Sequence, residues 1–153
     1  MLKIDMHTHI LPKTMPNWTE KFGYGKFIHL ESNTDGSANM MQGGAFFRRI
    51  VENCWDESLR IKEYEQFNTQ VQVVCTIPVM FSYWANPKDC AELSRFLNDH
   101  IAELVQQYPK HYIGLGTIPM QDTEEAIKEL ERIKSLGLVG IQIGSNINDK
   151  NLS

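Results

Sequence analysis

The sequence lacks an apolar run of the ~20 residues that a bilayer-spanning helix needs, a lysine- and arginine-rich cluster, a glycine-rich phosphate loop and a serine nucleophile elbow. Each absence removes a class of function. Fifteen Lys and Arg against nineteen Asp and Glu give a formal charge of −4, with no electrostatic footprint for nucleic acid or an acidic membrane surface. The three cysteines, Cys54, Cys75 and Cys90, are odd in number and too far apart for a zinc knuckle or a redox pair, so they read as reduced thiols in the cytosol. The opening stretch Met1 to His9 carries charge where a secretory signal needs an apolar core. What is present is ordinary globular composition, 153 residues with 42% hydrophobic and 22% charged, enough for one domain with a real core. A small-molecule partner fits these numbers.

Leu2, Ile4 and Met6 alternate with Lys3, Asp5 and His7, a period of two that predicts a first strand ending before Pro12. From about 13 to 50 the chain is rich in Gly, Asn, Ser and aromatics, with short candidate strands such as Lys26 to Leu30 around turn signals at Asn33 to Gly36, and reads as an insertion. Asp56 is placed to cap a helix carrying Leu59, Ile61, Tyr64 and Phe67, and Thr69 to Pro78 follows as an almost continuously apolar second strand. Asn86-Pro87 opens a long helix with Leu93, Leu97, Ile101, Leu104 and Val105 at helical spacing. A third strand runs from Tyr112 to Thr117, Asp122 caps another helix that Gly137 ends, and Val139 to Ile143 forms a fourth strand. This β-α rhythm implies a parallel sheet covered by helices, in the α/β class. Four strands are about half of a closed (β/α)8 TIM-type barrel, so residues 1–153 read as the N-terminal part of one barrel domain. The polar end, Asn148 to Ser153, carries a helix start signal with no helix after it and reads as an interruption.

His7-Thr8-His9 is the first chemical constellation. Residues two apart on a strand share a face about 6.5 to 7 Å apart, so two imidazoles can share one metal. Satisfied core histidines are the bland alternative. Asp5 on the same face, and a position at the C-terminal end of a first barrel strand where such folds build their sites, favour the metal. A catalytic zinc takes three protein ligands and an open position. His29, His100 and His111 read as surface or capping residues, and Asp122 and Asp149 as a cap and a loop residue, so the remaining ligands are expected beyond Ser153. In Phe46-Phe47-Arg48-Arg49, an arginine at a site rim can hold a carboxylate bidentately, against the alternative of a solvated pair. Thr76 to Trp84 is a strand end running into an aromatic loop, with packing and pocket lining equally open.

With these residues in view, the chain closely resembles the aminocarboxymuconate-semialdehyde decarboxylases, a family of the amidohydrolase superfamily. The likeness rests on Lys3 to Pro12, Phe22-Gly23-Tyr24-Gly25, Glu52-Asn53-Cys54-Trp55-Asp56, Pro78 to Ala85, Gly114 to Gln121 and Gly140 to Gly144, and runs through nearly the whole chain. It implies that His7 and His9 are zinc ligands and that Arg48 binds a carboxylate of the substrate, with Arg49 the fallback. The implied reaction removes carbon dioxide from 2-amino-3-carboxymuconate 6-semialdehyde, a dicarboxylate of tryptophan (kynurenine) degradation, and so limits its spontaneous cyclisation to quinolinate.

The resemblance places the third ligand histidine, the catalytic histidine and the ligand aspartate outside these residues. No catalytic residue is therefore assigned within the chain, and the 153-residue polypeptide alone is expected to be inactive. The full-length family member is expected to be a cytosolic homodimer, without nucleic acid or membrane partners. Two other readings are a non-catalytic short product that pairs with and modulates the full-length enzyme, and a sibling amidohydrolase acting on another carboxylic acid.

Overall fold

Val71–Cys75 (β5), a strand with Val73 and Val74 buried, lies inside a four-stranded parallel sheet. The chain reaches it through Ile4–His9 (β1), Trp18–Phe22 (α1), Ile28–Ser32 (β2), Ala38–Gln42 (β3), Ala45–Ile50 (β4) and Glu57–Gln66 (α2). It continues through Pro87–Gln107 (α3), Tyr112–Gly116 (β6), Thr123–Ser135 (α4) and Gly140–Ile141 (β7) to a two-residue pair, Asn146–Ile147 (β8) and Lys150–Asn151 (β9). The parallel order is β1-β5-β6-β7, the sequential arrangement of an arc of a (β/α) barrel. This computed structural model describes residues 1–152; Ser153, where the sequence reading puts the interruption, lies outside the described residues.

The helix signals operate as the sequence predicts. Asp56 Oδ1 accepts the Leu59 N–H at the start of α2, Asp122 Oδ1 accepts the Glu125 N–H at the start of α4, and Gly137 closes α4 at a φ of 82°. Strand β6 reads Tyr-Ile-Gly-Leu-Gly for a packing reason. Tyr112, Gly114 and Gly116 face the helices, and a Cβ on Gly114 or Gly116 would lie 2.6 Å from Leu138 or from Ile133. Two cores result, and α3 joins them. Ile10, Val74, Ile101, Leu104, Tyr112 and Ile133 form one between the sheet and the helices α3 and α4. Leu11, Trp18, Phe27, Met40, Met80, Leu93 and Leu97 form the other, beneath the segment that follows β1.

Several expectations change. The segment after β1, expected to hold short strands around a turn at Asn33 to Gly36, forms a three-stranded antiparallel sheet, β2-β3-β4, with that turn between its first two strands. Leu2, Ile4 and Met6 are exposed among the described residues. The apolar stripe expected on α2 is half-buried at best, Phe67 is exposed, and the buried residue of that helix is Arg60. The fourth strand shrinks to Gly140–Ile141. The helix signal near the end yields to a hairpin: Asn148 and Asp149 take φ of 47° and 64°, the doubly positive pair that a two-residue I′ turn requires. Among the described residues no helix is long and apolar enough to cross a membrane.

Candidate active site

β1 and β5 end side by side, with Thr8 opposite Val74 and His9 opposite Cys75. From Asp5 to Thr8 the first strand takes three steps while β5 takes two from Gln72 to Val74, so β1 carries one extra residue, a bulge. That bulge decides which way each side chain points. Asp5, which strict alternation would place with the histidines, turns instead toward α2, where its Oδ2 accepts the Tyr64 O–H at 3.0 Å and its Oδ1 accepts the His7 backbone N–H at 3.2 Å. The expectation of Asp5 on the histidine face is therefore corrected. His7 and His9 stay together, ring centroids 4.8 Å apart and edge to face.

The half-buried His9 has its Nδ1 3.0 Å from the Thr76 carbonyl oxygen. A carbonyl only accepts, so in this bond Nδ1 carries the proton and Nε2 keeps a lone pair. Burial lowers the pKa of His9 below its ordinary 6.5; the Thr76 hydrogen bond opposes this, and nearby His7 and Arg60 lower it further. The neutral form that results is the one that binds metal. Two imidazoles side by side at the carboxyl-terminal edge of a parallel sheet fit a divalent cation, though a catalytic site takes a third protein ligand. Among the described residues no group of three or more His, Cys, Asp and Glu could hold a metal ion. The Cys75 thiol, pushed up to about 11 by burial, donates to the Thr8 carbonyl at 3.3 Å and stays a thiol. His29 lies 3.5 Å from Glu31, His100 is half-buried on α3, and Asp122 is a helix cap.

The sequence reading missed Arg60. Only 8% exposed, its guanidinium donates to the carbonyl oxygens of His9 and Asn53, both at 2.9 Å, and to Gln72 Oε1 at 2.7 Å. It ties the end of β1, the Glu52–Cys54 turn and β5 together from behind. The available signal was spacing: Glu57, Arg60, Ile61 and Tyr64 form one helical stripe, and only an apolar bias hides the arginine within it.

A cleft of about 540 Å³ opens between the three-stranded sheet and this rim, with His9, Leu11, Met40, Ile77 and Val79 in its walls and the stretch Phe47 to Val51 along one side. The two arginines of that stretch have different partners. Arg49 pairs with Asp35 and its Nε donates to Ser37 Oγ at 3.0 Å. Arg48 is exposed, lines the cleft and has no hydrogen bond or ion pair to another described side chain. Of the stretch Thr76 to Trp84, Ile77, Pro78 and Val79 line the cleft, whereas its aromatics pack away from it. Phe81 and Tyr83 are buried and stacked 5.5 Å apart, and Trp84 lies 4.7 Å from Phe27 over Gly25. Tyr83 anchors the chain after β7 instead, its oxygen accepting the Gly144 N–H and its carbonyl accepting from Asn148.

A parallel β/α arc with a histidine pair at its carboxyl rim defines a class, and the chain belongs to it: the amidohydrolase family profile matches residues 4–153. Within that family the chain is 55% identical, over 99% of its length, to a 2-amino-3-carboxymuconate-6-semialdehyde decarboxylase of Dictyostelium discoideum. It is 37% identical, over 98%, to the protein of the same name from Caenorhabditis elegans. The chain spans 42% of the length of each of these two relatives. Among solved structures, a 5-carboxyvanillate decarboxylase of Novosphingobium aromaticivorans, complexed with manganese and a nitrobenzoic acid, superposes with a TM-score of 0.70 at 20% identity. That match covers 97% of this chain and 43% of the other. At that identity the likeness concerns the fold.

Proposed function

We propose that this chain carries the first metal ligands and the carboxylate clamp of a divalent-metal-dependent carboxy-lyase, one that converts 2-amino-3-carboxymuconate 6-semialdehyde to 2-aminomuconate 6-semialdehyde and carbon dioxide. The observation that carries the reading is the pairing of His7 and His9 beside a cleft whose wall presents Arg48 without a partner.

His7 and His9 hold the ion in this reading, with Thr76 fixing the His9 tautomer that leaves Nε2 free. A bound zinc supplies Lewis acidity that stabilises negative charge developing on the substrate. Arg48 supplies the fork that grips a carboxylate and sets the substrate's register along the cleft. Leu11, Met40, Ile77 and Val79 give that cleft apolar walls that displace water and strengthen both charge interactions. No general acid or base is assigned among these residues.

The names of the relatives support the decarboxylase reading, and the manganese named with the Novosphingobium structure supports a divalent ion. Zinc as that ion, a homodimeric assembly and a cytosolic setting in keeping with three free thiols complete the proposal. The test is metal-dependent turnover by the protein expressed from its complete gene. Loss of the semialdehyde substrate with release of carbon dioxide, abolished by chelation and restored by zinc, is expected. Turnover of 5-carboxyvanillate alone would replace the substrate and keep the metal.

A further inference from the structure

We propose that helix α2 aims the metal-binding histidines through Asp5 and Tyr64, which hold the β1 bulge in shape, making Asp5 a positioning residue and not a ligand. The inference rests on the metal reading of His7 and His9 and adds to it.

Four observations carry it. The extra residue in β1 falls between Asp5 and Thr8, immediately before the second histidine, and bulges re-aim side chains where they occur. A bulge also leaves a backbone group out of the ladder, and here the N–H of His7 finds its acceptor in Asp5 Oδ1 at 3.2 Å. The second oxygen of the same carboxylate is fixed by the Tyr64 O–H at 3.0 Å, so the carboxylate spans the gap between ligand backbone and helix. Arg60, one helical turn before Tyr64, holds the carbonyl of His9 at 2.9 Å. The strand end is thus gripped at both histidines by one helix, through their backbones. Between Asp5 and Thr8 the bulge takes Met6 and His7 out of register with β5. Something outside the ladder must fix where His7 points.

Metal-ligand orientation held this way is worth about 10- to 100-fold in metal affinity. The protein expressed from its complete gene is titrated with cobalt(II), reading both the dissociation constant and the visible absorption of the bound ion. Wild type, Asp5→Ala, Asp5→Asn, Tyr64→Phe and the control His7→Ala are compared, with thermal midpoints recorded for each. Asp5→Ala is expected to weaken cobalt binding by roughly 10- to 100-fold with an altered spectrum. Asp5→Asn keeps one acceptor oxygen for the His7 N–H and an N–H that the Tyr64 oxygen can accept, so it is expected to recover most of the affinity. Tyr64→Phe is expected to cost a few-fold.

If Asp5→Ala lowers the thermal midpoint yet binds cobalt like wild type with an unchanged spectrum, Asp5 is merely structural and the proposal is overturned. If Asp5→Asn is as impaired as Asp5→Ala, the hydrogen-bonded geometry is not what matters and the proposal also falls. If wild type binds no cobalt, or His7→Ala binds it equally well, the metal reading itself fails, an outcome separate from the first two.

Discussion

Replacing Arg48 and Arg49 one at a time separates two neighbours of identical chemistry and different surroundings. Arg49 is held by Asp35 and Ser37 in an exposed arrangement, with both charged side chains more than half exposed. Such pairs contribute ~0–1 kcal/mol to stability, so Arg49→Ala is expected to move the urea midpoint slightly and leave catalysis within about twofold. Arg48 faces the cleft with its donors uncommitted. A fork to a carboxylate makes two charge-assisted hydrogen bonds at ~1.5–3 kcal/mol each, and solvent around an exposed arginine reduces the sum to about 2–4 kcal/mol. At 1.4 kcal/mol per tenfold, Arg48→Ala is expected to lower kcat/KM by roughly 30- to 700-fold, and to weaken a competitive dicarboxylate inhibitor by a similar factor. Arg48→Lys keeps the charge without the fork and is expected to recover part of the loss. Initial rates on 2-amino-3-carboxymuconate 6-semialdehyde, with inhibitor dissociation constants beside them, give both numbers. Equal losses for Arg48→Ala and Arg49→Ala, or a loss under about threefold for Arg48→Ala, would refute the assignment of the clamp.

Other consequences follow from the packing. Gly116→Ala would drive a Cβ to 2.6 Å from Ile133 and 2.9 Å from Asn98, and is expected to cost about 1–3 kcal/mol in urea unfolding. Asn98→Ala removes bonds to both the N–H and the carbonyl of Thr117, buried where β6 ends, and a third to Glu129; two stranded backbone groups correspond to about 2–5 kcal/mol by the same assay. Burial holds the pKa of His100 below 6.5, so the unfolded chain takes up a proton that the folded chain refuses. Stability is therefore complete above about pH 7 and declines as pH falls through 6.5 toward the lowered folded value, and His100→Gln is expected to flatten that slope in chemical denaturation. Burial also raises the Cys75 thiol to about 11 and moves Cys90 upward, so iodoacetamide near pH 8 is expected to mark the half-buried Cys54 first, as read by peptide mass.

The sequence disclosed what local chemistry controls. Asp56, Asn86 and Asp122 cap the helices they were expected to cap, since an N-cap needs only its own first turn. Val71–Cys75 was legible because a buried parallel strand is apolar on both faces. The histidine pair was visible for the same local reason. Two features depend on distant partners and were hidden. Strict alternation put Asp5 beside the histidines, and only the count of steps against β5 reveals the bulge that turns it away. Arg60 lies inside a stripe that hydropathy reads as apolar or solvated, while its acceptors come from β1, β5 and the turn before α2. Of the three strands between Ile28 and Ile50, the first and the turn after it were legible, while the mixed Ala-Asn-Met-Met-Gln and Phe-Phe-Arg-Arg sequences of the other two alternate weakly.

The central claim is that His7 and His9 hold the ion on which decarboxylation depends. The measurement that tests it most directly is zinc-dependent turnover of 2-amino-3-carboxymuconate 6-semialdehyde by metal-stripped protein from the complete gene, compared with His7→Ala and His9→Ala at matched folded concentration. The account predicts activity that rises with added zinc to one ion per site in the wild type, and less than about one-hundredth of it in either variant at the same zinc. Turnover that needs no metal, or that survives both substitutions, would contradict it.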